Sequence, residues 1–543
     1  LAIAALPAIA VDRIVENVRG YTWTAHGLER FAALRISQQG RVVATGEADA
    51  IGQGDELTRV DGKSVTMLPG LIDAHGHVLE LGRAALQVDL TGASSLDDAL
   101  RRVAEFADRH RDATWVLGRG WNQELWPSRA FPQADDLDVV VADRPVFLTR
   151  VDGHAGWANS RAMRLAGIDS QTVAPDGGAI LRSAAGPPSG VFVDAAMALI
   201  EDNIPQPTAA QDEAALLSAI ERLASVGLTG VHDAGVSAAT VDLYRKLADE
   251  GRLELRVYAM LSGAGENLQA FDEPLIDYGD GRLTVRSVKL YADGALGSRG
   301  AALLAPYSDA PDSRGLLFHD ASAMRGLIDK INGKGFQACV HAIGDAANRQ
   351  VIDAFAAVQD GRPSPLRNRI EHAQVVAPAD IGRFRALGLI ASMQFTHATS
   401  DKNMAEARIG PKRIEGAYAW RSFIDAGAMI AGGSDFPVEE PEPFFGLHAA
   451  VTRQDHSGQP PGGWYPEQAL EVGEALRAFT LGAAYAAHQE NQVGSLEPGK
   501  WADFILVDRD PFAMPAGDLW RVRVLETWLA GERIYQSAVQ RPQ

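Results

Sequence analysis

The stretch LPGLIDAHGHV, residues 68–78, joins a strand-like apolar run to two histidines that flank a glycine. Side chains alternate along an extended chain, so His75 and His77 lie on the same side and could bind one ion. A motif this short is weak evidence, because two histidines in a turn give the same pattern. Its meaning depends on the strands and polar residues that follow.

Short apolar runs recur through the middle of the chain with helical patterns between them, which is typical of βα units and a parallel sheet. Eight is the number of strands in a closed (β/α)8 barrel. We therefore predict an α/β fold built on a TIM-type barrel. The eight predicted strands are residues 68–75, 227–235, 253–261, 285–294, 336–345, 368–374, 388–394 and 428–437.

The remaining segments predict two further domains. Short strands with Gly and Pro turns occupy residues 11–65 and 491–543, which we expect to form one composite β-sandwich from both termini. The gap after the first barrel strand is too long for a single crossover helix, so residues 112–205 are predicted to form an insertion lobe. The barrel would then comprise residues 66–111 and 206–490.

The first ten residues, LAIAALPAIA, end in the small-x-small pattern that signal peptidase accepts. We interpret residues 1–10 as the remnant of a signal peptide, which predicts a periplasmic or secreted protein. A short apolar strand would give the same pattern, and the protein would then be cytoplasmic. No other apolar run reaches the length of about 18 residues that a membrane span needs, so we expect no integral membrane segment in the mature chain.

Charge and cysteine content exclude several classes of function. The chain has 51 Lys and Arg against 70 Asp and Glu, a formal charge of -19, which disfavours nucleic acid as a partner. The single cysteine, Cys339, excludes an intramolecular disulfide and a Cys-rich metal site. A small-molecule substrate is the expected partner.

Polar side chains at the ends of the predicted strands indicate where chemistry takes place, because barrel enzymes carry their catalytic groups there. Imidazole nitrogens and a carboxylate suit zinc and related divalent ions. A core histidine or a turn cap would explain any one of these residues, but together they favour a metal centre. The strand-end residues are His75, His77, His232, Asp233, Lys289, Asp293, His341, His372 and Asp435.

Lys289 is the unusual member of this set, because a lysine ammonium repels a divalent cation. It must be remote from the ion, neutral, or carboxylated to an anion by carbon dioxide. An ion pair with Asp293 is the simpler alternative.

The chain resembles the amidohydrolase superfamily, in particular amidohydrolase family 3 and its branch of YtcJ-like hydrolases and N-substituted formamide deformylases. The resemblance spans nearly the whole chain. It is carried by LPGLIDAHGHV, VDGHAGWANS, GLTGVHDAG, VKLYADGALGSRGAAL, VHAIGDAAN, RIEHAQ, SMQFTHATSD, GGSDFPV and the closing stretch ALRAFTLGAAYAAHQENQVGSLEPGKWADFILVD.

This resemblance implies a centre of one or two divalent ions, with zinc the expected metal. His75, His77 and Asp435 would hold one ion, His341 and His372 a second, and Lys289 would bridge them as its N6-carboxylated form. Members with a single metal also occur, and Lys289 would then be unmodified.

The expected activity is hydrolysis of an amide-like C–N bond, as in an N-acyl or N-formyl amine, by water that the metal activates. Asp435 would take the proton and pass it to the leaving amine, while His341 or His154 would donate a hydrogen bond to the oxyanion. Two alternatives remain open. The same centre could hydrolyse an ester, lactone or cyclic imide, or the barrel could be a non-catalytic ligand-binding protein.

Other residues allow less specific predictions. Asp401 and Arg299 are candidate substrate contacts, and a homodimer is suggested by analogy with other sandwich-bearing barrels. Four tryptophans either line the pocket or fill the core of the lobe, and core filling is the default: Trp121, Trp126, Trp157 and Trp464.

Overall fold

The structure is a computed structural model that describes residues 11–53, 57–150, 155–175, 178–183, 186–297 and 299–538. The predicted leader, residues 1–10, lies outside these ranges. In the described part of the chain no helix is both long and apolar enough to cross a bilayer. The chain divides into two compact units, one running up to Val78 and again from Ile220 onward, the other from Leu79 to Ala219.

The first unit contains a parallel sheet of the eight predicted strands, in the predicted order, and this confirms the barrel. Each strand is hydrogen-bonded to the next one along the chain, and every such pair is parallel. The strands are β1 (Leu71–Gly76), β2 (Leu228–Val236), β3 (Arg256–Ser262), β4 (Leu283–Tyr291), β5 (Gln337–Ala342), β6 (Arg369–His372), β7 (Ile390–Gln394) and β8 (Met429–Gly433).

Hydrogen bonds between the ends of β1 and β8 bring the last strand beside the first. The amide of Asp435 donates to the carbonyl of His75 at 2.7 Å, and the amide of His77 donates to the carbonyl of Phe436 at 2.8 Å. The hydroxyl of Ser434 donates to the buried carboxylate of Asp73 at 2.6 Å. This seam lies where the sequence places its histidine pair.

Helices follow the strands as the alternating pattern predicted. Most of the longer helices of this unit lie in the sequence between two successive barrel strands, which is the βα order of a barrel, and the last two follow β8. They are Ala238–Asp249, Ala321–Gly333, Asp345–Val358, Pro378–Leu387, Phe395–Asp401, Ala405–Arg413, Trp420–Asp425, Pro443–Thr452 and Val472–Arg477. The shorter helices of this unit are Ala48–Ile51, Glu266–Gln269, Tyr278–Gly281 and Ala483–Ala486. The helix Val78–Ala85 follows β1, and from Leu79 onward it belongs to the second unit.

The two termini build one β-sandwich, as predicted. Its strand Thr66–Pro69 pairs antiparallel with Phe504–Val507, so the N- and C-terminal segments share a sheet. That sheet has the order Glu532–Gln536, Val524–Leu529, Phe504–Val507, Thr66–Pro69, Arg19–Thr24 and Gly27–Phe31. The second sheet has the order Val42–Gly46, Ala33–Ile36, Asp12–Glu16 and Leu57–Asp61.

A buried ion pair joins the barrel to this sandwich. Arg256, the first residue of β3, donates to both carboxylate oxygens of Asp503, at 2.6 and 2.9 Å, and both side chains are only 4% exposed. Such a bidentate pair offsets its desolvation cost only when the geometry is good.

The second unit is the insertion lobe. Its six-stranded sheet has the order Gly178–Arg182, Pro188–Asp194, Ala155–Ala158, Val146–Arg150, Val116–Trp121 and Val88–Asp89. Its helices are Leu96–Arg109, Ala134–Val140, Ser160–Leu165, Ala198–Glu201 and most of Ala209–Ser225. The last helix begins with the predicted capping box, in which the amide of Thr208 donates to Gln211 at 2.8 Å and the amide of Gln211 donates back at 3.3 Å.

The lobe takes in residues 79–111 and 206–219, which the sequence pattern assigned to the barrel. The reason is packing, because the helix Leu96–Arg109 buries Val103 and Phe106 in the lobe core. Arg83 also pairs with Asp212 at 2.9 Å, which joins the beginning and the end of the unit.

Three of the four tryptophans fill this lobe core, which confirms the default interpretation. Trp121, Trp126 and Trp157 are at most 2% exposed, and their rings contact one another. Each indole N–H donates to a backbone carbonyl. They build the lobe rather than serve as free aromatic contacts.

The buried pair generates the first prediction. Asp503→Asn should destabilise the full chain by about 3–5 kcal/mol, because it leaves the Arg256 guanidinium buried without its counter-charge. The denaturant midpoint and apparent Tm measure the loss. Asp425→Asn is the matched control, since its carboxylate is 65% exposed and should change stability by less than about 1 kcal/mol. Equal shifts in the two variants would show that the buried pair contributes nothing.

Candidate metal centre

The C-terminal ends of the barrel strands converge on a cavity of about 410 Å³. All six predicted metal-site residues line it, so the structure brings together what the sequence placed on different strands. They are His75, His77, Lys289, His341, His372 and Asp435.

The carboxylate of Asp435 lies at the centre of the histidines. Its Oδ1 is 3.1 Å from Nε2 of His77 and 3.6 Å from Nε2 of His75. Donors about 2.1 Å from a tetrahedral zinc ion lie roughly 3.4 Å from one another, so each of these two distances suits a shared ion. Among the described residues, the group whose ligand atoms all lie within 4.8 Å of one another is His75, His372 and Asp435, without His77. His372 lies on the other side, with Nδ1 4.0 Å from Oδ2 of Asp435.

Hydrogen bonds at Nδ1 set the orientation of three imidazoles. Nδ1 of His75 donates to Glu371 at 2.6 Å, that of His77 to the carbonyl of Ala234 at 2.8 Å, and that of His372 to Gln394 at 2.8 Å. In the neutral ring Nε2 then carries a lone pair, as a metal ligand must. Nε2 of His77 forms a hydrogen bond with Asp435 Oδ1, and Nε2 of His75 accepts one from Lys289, so an ion bound there would replace both bonds.

Glu371 is itself held by a buried arginine. Arg369 donates to both of its oxygens, at 2.8 and 3.0 Å, and both residues are fully buried in the barrel interior. The Arg369 guanidinium, together with the hydrogen bond from His75, holds the pKa of Glu371 far below its usual range although burial opposes this. The carboxylate therefore stays ionised and keeps the His75 ring in place.

His341 and Lys289 complete the set of candidate ligands. Nε2 of His341 is buried without a hydrogen bond, 3.6 Å from Asp293 Oδ1. Lys289 is 1% exposed, and its Nζ donates to Nε2 of His75 at 3.0 Å. The anticipated ion pair of Lys289 with Asp293 is absent, because three backbone amides occupy the Asp293 carboxylate: those of Ala302, Ile343 and Gly344.

Burial lowers the pKa of three of the four candidate imidazoles, whereas the hydrogen bond with Asp435 raises the pKa of His77 although burial opposes this. Desolvation, aided by the nearby Lys289 charge, lowers the pKa of His75 to about 4 and that of His341 to about 3. Burial likewise lowers the pKa of Lys289. Although burial alone would raise it, the hydrogen bond from His77 above all holds the pKa of Asp435 below its usual range. A metal ligand must be a neutral imidazole, so an ion held by His77 would displace the proton that this residue shares with Asp435.

The backbone at the site is strained in two places. Asp435 and His372 have φ of 65° and 72°, a region that costs a non-glycine residue about 1–3 kcal/mol and clusters at functional sites. Gly76 is required for a different reason. A Cβ at this position would lie 2.4 Å from the buried ring of Phe436, which confirms that no side chain fits between the two histidines.

Comparison with known proteins identifies the family. A family model described as the amidohydrolase family matches residues 59–535. The chain belongs to this amidohydrolase family.

Relatives extend over almost the full length. The Bacillus subtilis (strain 168) protein YtcJ, named as an amidohydrolase, is 31% identical over 95% of this chain and 98% of its own. An N-substituted formamide deformylase from Arthrobacter pascens is 28% identical, with 89% and 90% covered. A solved structure of an uncharacterized metal-dependent hydrolase from Pyrococcus horikoshii OT3 superimposes with a TM-score of 0.78 at 26% identity, covering 93% of this chain and 99% of that one.

Three strand-end residues of this amidohydrolase have roles other than lining the cavity. His232 faces the barrel interior, where Nδ1 accepts a hydrogen bond from Arg369 at 2.7 Å. Asp233 accepts from the amide of Val78, and Asp293 binds backbone amides as described. These residues support the strand ends that carry the ligands.

Among the other candidates, Asp401 lines the cavity, whereas Arg299 forms an ion pair with Asp309 at 3.0 Å instead. The ring of Trp464 packs on Tyr418. His154 lies outside the described residues, so its role as an oxyanion donor stays a prediction.

Sequence reasoning missed Glu371, Gln394 and His397. The signal for Glu371 is in RIEHAQ, where Arg369 and Glu371 alternate inside a strand that must be buried on both faces. His397 follows β7 by three residues, much as His77 and Asp435 follow β1 and β8, and it also lines the cavity.

Because Glu371 sets the orientation of His75, Glu371→Gln should weaken zinc binding about 10- to 100-fold. Competition with a chromophoric chelator measures the affinity, and circular dichroism confirms folding. The control is Glu490→Gln, whose carboxylate pairs with Arg367 away from the cavity. A folded Glu371→Gln protein with the zinc affinity of the control would contradict the role of Glu371.

Proposed function

We propose that this amidohydrolase uses one or two divalent ions, zinc being the expected metal, to hydrolyse a non-peptide amide such as an N-acyl or N-formyl amine. The observation that carries the proposal is the convergence of the four candidate imidazoles and the Asp435 carboxylate in one cavity, where His75, His372 and Asp435 lie close enough together to share an ion. The similarity to a formamide deformylase supports a C–N bond as the target. The full ligand set argues against a non-catalytic barrel.

His75, His77 and Asp435 would hold one ion, and His341 and His372 a second. When bound, a divalent ion supplies Lewis acidity, which lowers the pKa of water to about 7 and polarises a carbonyl oxygen. His75, His341 and His372, whose pKa values are lowered, would bind it without losing a proton.

Asp435 is the proposed proton carrier. Its Oδ1 faces the ligand nitrogens of His75 and His77, so Oδ2 is the oxygen available to exchange a proton. Oδ2 takes the proton of the attacking water and returns it to the leaving nitrogen, which would otherwise depart as an unstable amide anion. His341 is the proposed hydrogen-bond donor to the substrate oxygen in the variant of the centre that holds one ion.

Metal dependence and the role of Asp435 can be tested together. Chelation should abolish hydrolysis of N-formyl and N-acetyl alkylamines, and zinc should restore it. Asp435→Asn should lower kcat about 10²- to 10⁴-fold, the range for loss of a general acid–base group. Asp353→Asn, an exposed ion-pair partner of Arg383 on an outer helix, should leave kcat unchanged.

Full activity after complete metal removal would overturn the proposal. Matched esters distinguish the type of bond that is cleaved. If the esters are hydrolysed and none of the amides is, the protein is a hydrolase of esters or lactones instead.

We further propose that Lys289 is N6-carboxylated when two ions are bound. Its buried amine, with a lowered pKa, can add to carbon dioxide and lose a proton to give a carbamate anion. Protein prepared with ¹³C-bicarbonate and zinc should show a carbamate carbon resonance, and Lys289→Met should lack it. Two bound zinc ions per chain with no such resonance would exclude the bridging carbamate.

A further inference from the structure

The cavity contains a second carboxylate that the proposed chemistry does not use. Asp401 ends the helix Phe395–Asp401, which follows β7, and it lines the cavity together with the candidate ligands. Its Oδ2 accepts hydrogen bonds from Nε2 of Gln374 at 2.8 Å and from the hydroxyl of Tyr418 at 2.7 Å. Gln374 also donates to the Tyr418 hydroxyl at 2.6 Å.

These two donors fix the Asp401 carboxylate in one orientation. Gln374 and Tyr418 are 5% and 2% exposed, so the network is anchored in the barrel and not in solvent. Both bonds go to Oδ2, and no donor among the described residues is recorded at Oδ1. One oxygen of a preorganised carboxylate is therefore available to a ligand.

The rest of the cavity lining has the character of a site for a short apolar chain. Leu296, Ile343, Met404 and Val438 supply apolar surface. Glu439 is the third carboxylate of the lining, beside Asp435 and Asp401. Among the described lining residues Lys289 is the single lysine or arginine. In the proposed zinc-loaded centre Lys289 is a carbamate or lies beside the ion at His75, so it does not provide a free cation for a substrate anion.

A second observation points to a ligand in the same cavity. His397 is 9% exposed, and its Nε2 forms no hydrogen bond, 3.9 Å from Oδ2 of Asp435. Buried polar atoms are normally paired, so this nitrogen indicates that a polar group enters with the ligand. Asp435 and His397 thus mark the place of the reacting amide, and Asp401 provides a separate acceptor.

We propose that Asp401 determines substrate specificity by binding a protonated amine at the other end of the substrate, which selects monoacylated diamines over neutral alkylamides and over N-acyl amino acids. This rests on the proposed amide hydrolysis. A carboxylate that accepts from an ammonium group forms a charge-assisted hydrogen bond, whereas a substrate carboxylate would face Asp401 and Glu439. The chain's formal charge of -19 also attracts cationic substrates.

Three substrates of similar length test this directly: monoacetylated diaminobutane, N-pentylacetamide and N-acetylaminobutyrate. With the zinc-loaded full chain at neutral pH, kcat/KM should be about 10- to 100-fold higher for the cation than for the neutral compound, and lowest for the anion. Asp401→Asn should reduce the ratio of kcat/KM for the cationic substrate to kcat/KM for the neutral one to near one, mainly by raising KM for the cationic substrate.

Two further variants make the test specific. Tyr418→Phe removes one bond that holds Asp401, so the ratio should fall less than in Asp401→Asn. Asp353→Asn removes one formal charge outside the cavity, and its ratio should equal that of the wild type. A ratio near one in the wild type, or a wild-type ratio retained in Asp401→Asn, would overturn the proposal.

Binding without turnover separates this proposal from the proposed function. Calorimetric titration with pentylammonium should give an affinity about 10-fold weaker in Asp401→Asn than in the wild type, with zinc content measured for both. If no amide is hydrolysed but this difference remains, the amine site stands and the hydrolytic assignment fails. Equal affinities would refute the amine site whatever the enzyme hydrolyses.

Discussion

The contact between the first and last barrel strands is the constraint on which the rest depends. The hydrogen bond from the Asp435 amide to the His75 carbonyl and the bond from Ser434 to Asp73 join β8 to β1. His75 and Asp435 are also candidate ligands, so the contact that closes the barrel places these two side chains next to each other. Gly433 permits it, because a Cβ there would lie 2.7 Å from both Asp73 Oδ1 and the His75 amide.

A second constraint is that two charged side chains are buried inside the barrel. Glu371 and Arg369 are fully buried, which costs desolvation free energy. Two hydrogen bonds between the guanidinium and the carboxylate offset this cost. The pair is not only structural, since Oε2 of Glu371, which accepts from Arg369, also accepts from Nδ1 of His75 and fixes its ring. A buried charge therefore sets the geometry of a neutral ligand, which an apolar pair of the same volume could not do.

The sequence was sufficient for the parts of the molecule that follow a local rule. Strand order and the six cavity residues were predictable, because apolar runs mark strands and parallel strands end at one face. The roles of Glu371 and Gln394 were not, since they depend on which residues lie opposite each other on neighbouring strands. The helix Leu96–Arg109 shows the same limit: its apolar face fits a barrel helix and a lobe helix equally well, and only tertiary packing decides.

The burial of Lys289 bears on the choice between the two proposed forms of the centre, one with a single ion and one with two ions and a carbamate. One divalent ion beside a protonated Lys289, and two ions beside its carbamate, give the site the same formal charge next to Asp435. Net charge therefore does not distinguish them. Desolvation does, because among the described residues a protonated amine at 1% exposure has one hydrogen-bond acceptor, Nε2 of His75, and that nitrogen is the one a metal would take. Metal binding at His75 removes the acceptor and favours the neutral amine, which is the form that reacts with carbon dioxide.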